Sequence, residues 1–354
     1  MISVIVPTYN KADYLRLTLS SYRAQTNKNF ELVIADDGST DFTEQVVKRF
    51  TNDLPITYVK RANSGRSAAR NNAIDAAAGS LLVFSDDDRI VKPDFIAEHS
   101  RLSTEFGDSH VIIGGKGRIL THWLKDMLPL SKYDLSQLSE QFGEEWTDIA
   151  TRNECALLTE EEAADQQSAA FRRLLLGEEF SGDHSLAVSF EKLGIYRFAW
   201  VFGTTANMSV PKQAVLDAGK FDTGFQGWGM EDSDLCYRLG KLGLGMREDL
   251  SPYNYHQIHY VGKQGLNKHI SVERNKELWR NIDYFMNKTR DVDTFIFRHG
   301  IRWNVPYLRL HELADMFEQR LQKHPLPFDE WKTHFWKVLP KWYLQRMLGK
   351  SSKA

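Results

Sequence analysis

Short apolar runs, each closed by a polar cluster, recur through the first third of the chain. Ile2-Ser3-Val4-Ile5-Val6 stops at Pro7-Thr8-Tyr9-Asn10, and Phe30-Glu31-Leu32-Val33-Ile34-Ala35 stops at Asp36-Asp37-Gly38-Ser39-Thr40-Asp41. Ile56-Thr57-Tyr58-Val59 precedes Asn63-Ser64-Gly65-Arg66-Ser67, and Leu81-Leu82-Val83-Phe84-Ser85 runs into Asp86-Asp87-Asp88. β-branched runs of this length, bounded by turn residues, predict strands buried on both faces. Helix spacing separates them. Asp13 is placed to cap a helix carrying Tyr14, Leu15, Leu17, Leu19 and Tyr22; a second spans 42–50; an Ala-rich third begins at Ala68 and stops at Gly79. Strand and helix alternate four times, which predicts a parallel sheet with helices on its faces. Residues 89–95 read as a turn into a further helix.

The middle of the chain is less regular. Ile112-Ile113-Gly114-Gly115 reads as another strand. Residues 120–195 are rich in Leu, Glu, Gln and Ala; 160–176 reads as one helix with Ala163, Ala164, Phe171, Leu174 and Leu175 on its apolar side. Trp123 and Trp146 are expected in core or lid packing rather than lining a groove. A strand within 202–211 leads to a short helix at 213–218, and a Gly-Trp-Gly loop leads to a helix at 235–242. Residues 252–260 are extended. From Ser271 helices are expected at 273–286 and 307–321, with an aromatic, basic, amphipathic end at 328–348. Such an end suits an anionic bilayer surface, the catalytic domain or a second subunit.

Bulk properties narrow the class. The chain has 354 residues, is 42% hydrophobic and 26% charged, and carries a net charge of −2, so no overall field draws it to nucleic acid. Cys155 and Cys236 are the two cysteines, too few for a disulfide framework and suited to a reducing compartment. No apolar run reaches the length of a membrane span. The expected location is cytoplasmic, with peripheral contact at the membrane's inner face through the C-terminal helices.

In a parallel sheet of this kind, ligands bind outside the carboxyl ends of the strands. The four polar clusters fall there. No G-x-G-x-x-G follows the first strand, and there is no Walker loop, so neither a dinucleotide nor a P-loop site is indicated. Three consecutive carboxylates are costly unless a cation neutralises them, and a hard divalent ion carrying a diphosphate suits them. Asp37, Ser39 and Thr40 read as turn and cap chemistry, and Arg70 by itself reads as a helix-surface charge.

Taken together, Ile5-Val6-Pro7-Thr8-Tyr9-Asn10, Asp36-Asp37-Gly38-Ser39-Thr40-Asp41, the Gly65 to Asn71 stretch and the carboxylate triplet resemble the nucleotide-sugar domain of family 2 glycosyltransferases, over roughly residues 2–115. The resemblance implies the GT-A fold, an α/β arrangement with a mostly parallel Rossmann-like sheet flanked by helices. It implies that Pro7, Thr8 and Tyr9 line a nucleobase pocket, that Asp36 reads the base, usually uracil, and that Arg66 or Arg70 lies near base or diphosphate. Asp86 would meet the ribose, Asp87 would lie beside it, and Asp88 would bind Mn²⁺ or Mg²⁺. Gly227-Trp228-Gly229-Met230-Glu231-Asp232 resembles the G-W-G-x-E-D element of β-galactosyltransferases and chondroitin-type polymerases. There Trp228 would contact sugar, Glu231 would bind an acceptor hydroxyl and Asp232 would be the general base. His259, with His256 in reserve, would complete the metal site; in an extended segment the two should face opposite sides, so that only one ligates. Lys263, Asn267 and Lys268 would close over the diphosphate. The expected division is 1–115 for nucleotide-sugar binding, 116–200 as a helical insertion shaping the acceptor site, 201–269 as the acceptor and catalytic half, and 270–354 as a helical extension. The expected activity is metal-dependent, inverting transfer from a UDP-sugar to the hydroxyl of a glycan, lipid-linked or small-molecule acceptor, the alternatives being transfer with retention or a non-catalytic nucleotide-sugar-binding subunit of a larger synthase.

Overall fold

The computed structural model describes residues 1–179, 196–260, 272–302, 305–331 and 333. The four expected strands are β1 (Ile2–Thr8), β2 (Phe30–Asp36), β3 (Ile56–Lys60) and β4 (Leu81–Phe84). After them come β5 (Arg89–Val91), β6 (His110–Ile119), β7 (His122–Leu124), β8 (Glu154–Ala156), β9 (Leu175–Glu178), β10 (Met208–Pro211) and β11 (Gly245–Gln257). The main sheet runs β3-β2-β1-β4-β10-β6-β11-β5, with β9 paired to β6, while β7 and β8 form a separate hairpin. β1 pairs in parallel with β2 and β4, and β2 with β3. β10 is antiparallel to both neighbours, β11 is parallel to β6, and β5 is antiparallel to β11. The chain leaves β1 for β2 on one side and returns to β4 on the other. The carboxyl ends of β1 and β4 therefore flank a topological switch point, where a ligand crevice forms.

Alternation along β1 divides the core. Val4 and Val6 pack with Leu15, Leu19, Tyr22 and Phe95 on one face; Ile5 packs with Ala69, Ala73 and Phe84 on the other. The second face is covered by the Arg66–Ala76, Glu231–Lys241, Val272–Thr289, Val292–Arg302 and Leu310–Lys323 helices. In the Val272–Thr289 helix, Leu278, Ile282 and Phe285 recur at helical spacing and enter this core. Phe295 stacks on Phe317 at 5.4 Å, and Trp331 meets both rings edge-on. The described start of the amphipathic end thus packs on the domain; its remainder, like Lys263, Asn267 and Lys268, lies outside the described residues. Among the described residues no helix is long and apolar enough to cross a membrane.

Several expectations are corrected. Residues 89–91 form a strand, because β11 offers an open edge to Ile90 and Val91, both fully buried. The 160–176 helix is two short ones, Glu160–Ala164 and Ala169–Arg172, separated by the Ser168 cap and followed by β9. Asp13 lies in the first turn of the Ala12–Arg23 helix instead of capping it, and Asp41 accepts from the Ala12 amide at 3.1 Å. The boundary at 115/116 falls inside β6, and β9 of the insertion joins the main sheet. Trp123 and Trp146 pack edge-on at 5.1 Å in a third core cluster that the insertion shares with Leu17, Ile90 and Ile258, as expected of packing residues.

A buried polar link pins β10 under the Phe95–Phe106 helix. Asn207 donates through Nδ2 to the Gly115 and Pro252 carbonyls at 2.8 and 3.0 Å. Its Oδ1 lies 3.0 Å from His99 Nε2, so that nitrogen donates, and His99 Nδ1 accepts from Ser209 Oγ at 3.0 Å. A Cβ on Gly114 would fall 2.3 Å from the Asn207 amide, which restricts that position to glycine. Burial lowers the His99 pKa from 6.5 to about 4. A histidine depressed on folding contributes its full stability above its unfolded pKa of 6.5 and loses it as pH falls toward 4. His99→Gln should therefore flatten the acid side of the stability profile, so that wild type loses about 2 kcal/mol more than the variant between pH 7 and pH 5. Denaturant melts at both pH values check this, and parallel losses contradict it.

Candidate active site

The β4 strand delivers the carboxylate triplet to the rim, and β5 turns it back along β11. Register pairs His256 with Arg89, and the Gln257 amide donates to the Asp88 carbonyl at 2.9 Å. Asp88 is thereby set against both histidines. Its Oδ2 lies 3.6 Å from His256 Nε2, 3.5 Å from His259 Nδ1 and 3.1 Å from Lys11 Nζ. One ligand atom from each of Asp88, His256 and His259 lies within 4.8 Å of the others. The expectation that the histidines face opposite sides is corrected. β11 ends at Gln257, and strand alternation no longer applies by His259.

Glu179 completes this corner, and no local pattern in the sequence marked it. It accepts from Arg89, and its Oε1 lies 3.0 Å from His256 Nδ1. A carboxylate behind one ring nitrogen fixes the orientation of the other, an arrangement common behind metal-ligating imidazoles. Burial and Arg89 pull the His256 pKa down, but Asp88 and Glu179 outweigh them and raise it to about 9. Burial lowers His259 to about 4, leaving it neutral near pH 7. Burial would raise Asp88, yet Lys11, His256 and His259 hold it well below the usual carboxylate range. Asp87 is raised, through burial and the neighbouring Asp88 charge. Its backbone carbonyl accepts from Thr18 Oγ1 at 2.9 Å.

Arg70 ties the triplet to the second half of the crevice. It is not a surface charge, being only 4% exposed. Its guanidinium lies 3.2 Å from Asp86 Oδ1, 3.3 Å from Glu231 Oε1 and 3.6 Å from Asp232 Oδ1. Burial opposes its charge, but Asp232, Asp86 and Glu231 overcome that and raise its pKa. Arg66, at the first position of the same helix, reaches Glu231 at 3.5 Å. Glu231 is thus buried and doubly paired. Asp232 keeps 22% of its side chain open and accepts from the Thr205 amide at 3.0 Å and from Thr205 Oγ1 at 2.9 Å. Burial and the Glu231 charge raise its pKa, against Arg70 and Thr205. Thr205 lay unremarked in the Gly203 to Asn207 run.

The loop before this helix is held from the C-terminal side. Gly227 and Gly229 adopt positive φ of 73° and 94°, as expected of a tight loop around Trp228. Met230 also has φ of 79°, a left-handed value that a non-glycine residue adopts only under constraint. That constraint comes from the Val272–Thr289 helix. Asn281 Nδ2 donates to the Gln226, Trp228 and Gly229 carbonyls at 3.0, 3.3 and 2.8 Å, and the Trp228 amide donates to Glu277 at 3.0 Å. Trp228 is half-buried, with the Arg274 guanidinium 5.9 Å from its ring.

At the β1 and β2 ends, Tyr9 is 49% exposed, Pro7 is half-buried and Thr8 is buried. Asp36 sits opposite Thr8 with no exposed side-chain surface. It accepts from the Ser39 amide at 2.7 Å and from the Tyr58 hydroxyl, so in this conformation it orders the loop and does not open to the crevice. Asp37 accepts from the Ser64 and Gly65 amides at 2.8 and 2.9 Å, so it holds the loop that leads into the Arg66–Ala76 helix and does not make the local turn expected of it.

Residues 3–141 match the family described as "Glycosyl transferase family 2". The chain is 30% identical over 269 residues to YfnE, an uncharacterized glycosyltransferase of Bacillus subtilis, covering 73% of this chain and 64% of that one. It is 31% identical over 253 residues to the validoxylamine A glucosyltransferase of Streptomyces hygroscopicus, covering 70% and 53%. It therefore spans between half and two thirds of the length of these curated relatives. Residues 1–349 of S. aureus TarS, solved with UDP-GlcNAc, superpose with a TM-score of 0.50 at 16% identity, covering 98% of this chain and 83% of that one. The mannosyltransferase PcManGT of Pyrobaculum calidifontis, solved with GDP-Man and Mn²⁺, gives 0.50 at 16% identity, covering 99% and 85%. The fold is GT-A.

Removing the Arg70 charge leaves three carboxylates facing one another with their buried counterion gone, a change that typically costs 3–5 kcal/mol. Arg70→Met should destabilise the protein by about that much in chemical denaturation. A loss below about 1 kcal/mol would contradict the bridging role.

Proposed function

We propose that this chain is a glycosyltransferase that moves a sugar from a nucleotide-linked donor, UDP-linked in the reading favoured here, to an acceptor hydroxyl with inversion. The observation that carries this reading is the presence at one sheet rim of a carboxylate–imidazole group (Asp88, His256, His259) and a partly open carboxylate (Asp232), the latter tied through Arg70 to Asp86 of the same triplet. The glycosyltransferase names of the relatives, and the nucleotide sugars bound by TarS and PcManGT, support it.

The donor set fits a divalent ion. One carboxylate and two imidazoles favour Mn²⁺ over Mg²⁺, because nitrogen is a softer ligand than oxygen. Asp88, His256 and His259 would hold the ion, with Glu179 keeping the His256 ring in place. A bound ion supplies Lewis-acid stabilisation of the diphosphate as it departs. The chain's own groups do the rest. A carboxylate has about four lone-pair sites, so Asp232 retains capacity for an acceptor hydroxyl beside its Thr205 and Arg70 contacts. Its raised pKa makes it a stronger base than an exposed aspartate, as proton removal from a hydroxyl requires. Arg70 keeps it from binding a proton too tightly. Tyr9, exposed at the rim, offers a ring face to a nucleobase, and Trp228 offers one to a sugar. Pro7 and Thr8 form the floor beside Tyr9, and Asp86, partly open, is placed for a ribose hydroxyl. Glu231 binds the acceptor in this reading only with an oxygen that Arg66 and Arg70 leave unused.

Asp232→Asn should lower turnover by about 10³-fold while nucleotide binding stays near wild type. It should also remove the acid limb of the rate profile, on which wild-type activity rises with pH as Asp232 loses its proton. Steady-state kinetics with calorimetry check this, and near-normal turnover would exclude Asp232 as the base. Asp88→Ala should abolish the Mn²⁺ dependence of UDP binding; unchanged titrations with and without Mn²⁺ would remove Asp88 from the metal site.

A further inference from the structure

Lys116 lies in β6 between Gly115 and Gly117, and no motif pointed to it. Register sets it beside Asn254 of β11, just as Arg118 is set beside His256. Residues two apart on a strand share a face, so Lys116 occupies the His256 face of the sheet. Across the strand, Gly115 and Gly117 lie against the Tyr253 and Tyr255 rings so closely that a Cβ at either would meet them within 3.0 Å. The strand under Lys116 is therefore held firmly in place. The Glu179 amide donates to the Lys116 carbonyl at 2.8 Å, which brings the metal corner alongside. The side chain is half-buried, and among the described residues its ammonium makes no hydrogen bond or ion pair. Burial lowers its pKa to about 8; the charges acting on it are, in decreasing order, Glu179, Arg89, Glu248 and Asp232. Asn254, beside it in the sheet, donates through Nδ2 to the Ala206 carbonyl at 2.7 Å, next to the Thr205 that holds Asp232, so the Lys116 position lies between the Glu179 side of the metal corner and the Asp232 base. A largely desolvated ammonium that no carboxylate among the described residues reaches in an ion pair is costly, and the cost is recovered where a ligand supplies the anion.

We infer that Lys116 binds the donor phosphate whose bond to the sugar breaks, an assignment that rests on the transferase reading above. In that step the acceptor hydroxyl gives its proton to Asp232 and its oxygen bonds to the anomeric carbon. The electron pair of the old carbon–oxygen bond leaves with the phosphate oxygen. The negative charge that appears there is met by a Lys116 N–H, a charge-assisted hydrogen bond that strengthens as the bond breaks.

The test compares wild type, Lys116→Met and Lys116→Arg, with UDP and UMP binding measured by calorimetry in MnCl₂ and turnover measured with UDP-GlcNAc, UDP-glucose and UDP-galactose. Lys116→Met should lose about tenfold in UDP affinity, keep UMP affinity, and lose about 100-fold in turnover, with partial recovery in Lys116→Arg. Its thermal melt should match or exceed that of wild type, because the variant removes a desolvated charge that makes no ion pair among the described residues. Unchanged UDP affinity and turnover in Lys116→Met overturn the assignment. So does a loss confined to the acceptor KM, which would place Lys116 on the acceptor. If wild type binds no nucleoside diphosphate, GDP and dTDP included, the transferase reading itself fails, and that outcome is visible before any variant is made.

Discussion

Carboxylates crowd the carboxyl end of this sheet, and two buried guanidiniums make the crowding tolerable. Arg70 faces Asp86, Glu231 and Asp232; Arg89 faces Asp88 and Glu179. Each arginine is enclosed by the acids it neutralises, and removing either would leave buried carboxylates unpaired. The two clusters are asymmetric in consequence. Around Asp88 the surrounding cations lower the carboxylate's proton affinity, which suits a metal ligand. Around Asp232 burial and Glu231 prevail and raise it, which suits a base. Environment thus assigns different tasks to chemically identical side chains.

Backbone pairing sets the positions. β5 is three residues long, yet its antiparallel register on β11 brings His256 level with Arg89 and the neighbouring Asp88. A slip of one residue would turn the His256 ring to the opposite face. On the other side, the C-terminal helices serve the site through Asn281 and Glu277, which fix the loop that carries Trp228 into the first turn of the Glu231–Lys241 helix. Asp234, fully buried, binds Arg238 within its own helix and Lys288 across to the tail. The Val272–Thr289 helix is therefore part of the same packed unit as the crevice.

Much of this was legible in the residues, and the reasons are physical. β1 to β4 announce themselves because strands buried on both faces need unbroken apolar runs, and the rim clusters follow from that topology. Asp88 with a later histidine was likewise readable from charge crowding and the family resemblance. What escaped depends on distant pairing. β5 is too short to carry a pattern, and Arg70 looks exposed until its three acids, up to 162 positions away, fold over it. Glu179 stands in an insertion with no periodicity that predicts contact with His256. The Glu160 to Leu176 stretch shows apolar helical spacing, but Ser168 offered a competing cap and the helix divided. Asp36 carried the right motif, yet Tyr58 and Ser39 take its oxygens in this conformation.

The central claim is that Asp88, His256 and His259 hold one divalent ion together. Pulsed electron paramagnetic resonance of the protein with one equivalent of Mn²⁺ and UDP tests it most directly, because imidazole nitrogens bound to manganese modulate the echo. Nitrogen modulation is expected in wild type, weakened in either single histidine-to-alanine variant and lost in the double variant. Tight Mn²⁺ binding without nitrogen modulation, or modulation that survives the double substitution, would contradict it.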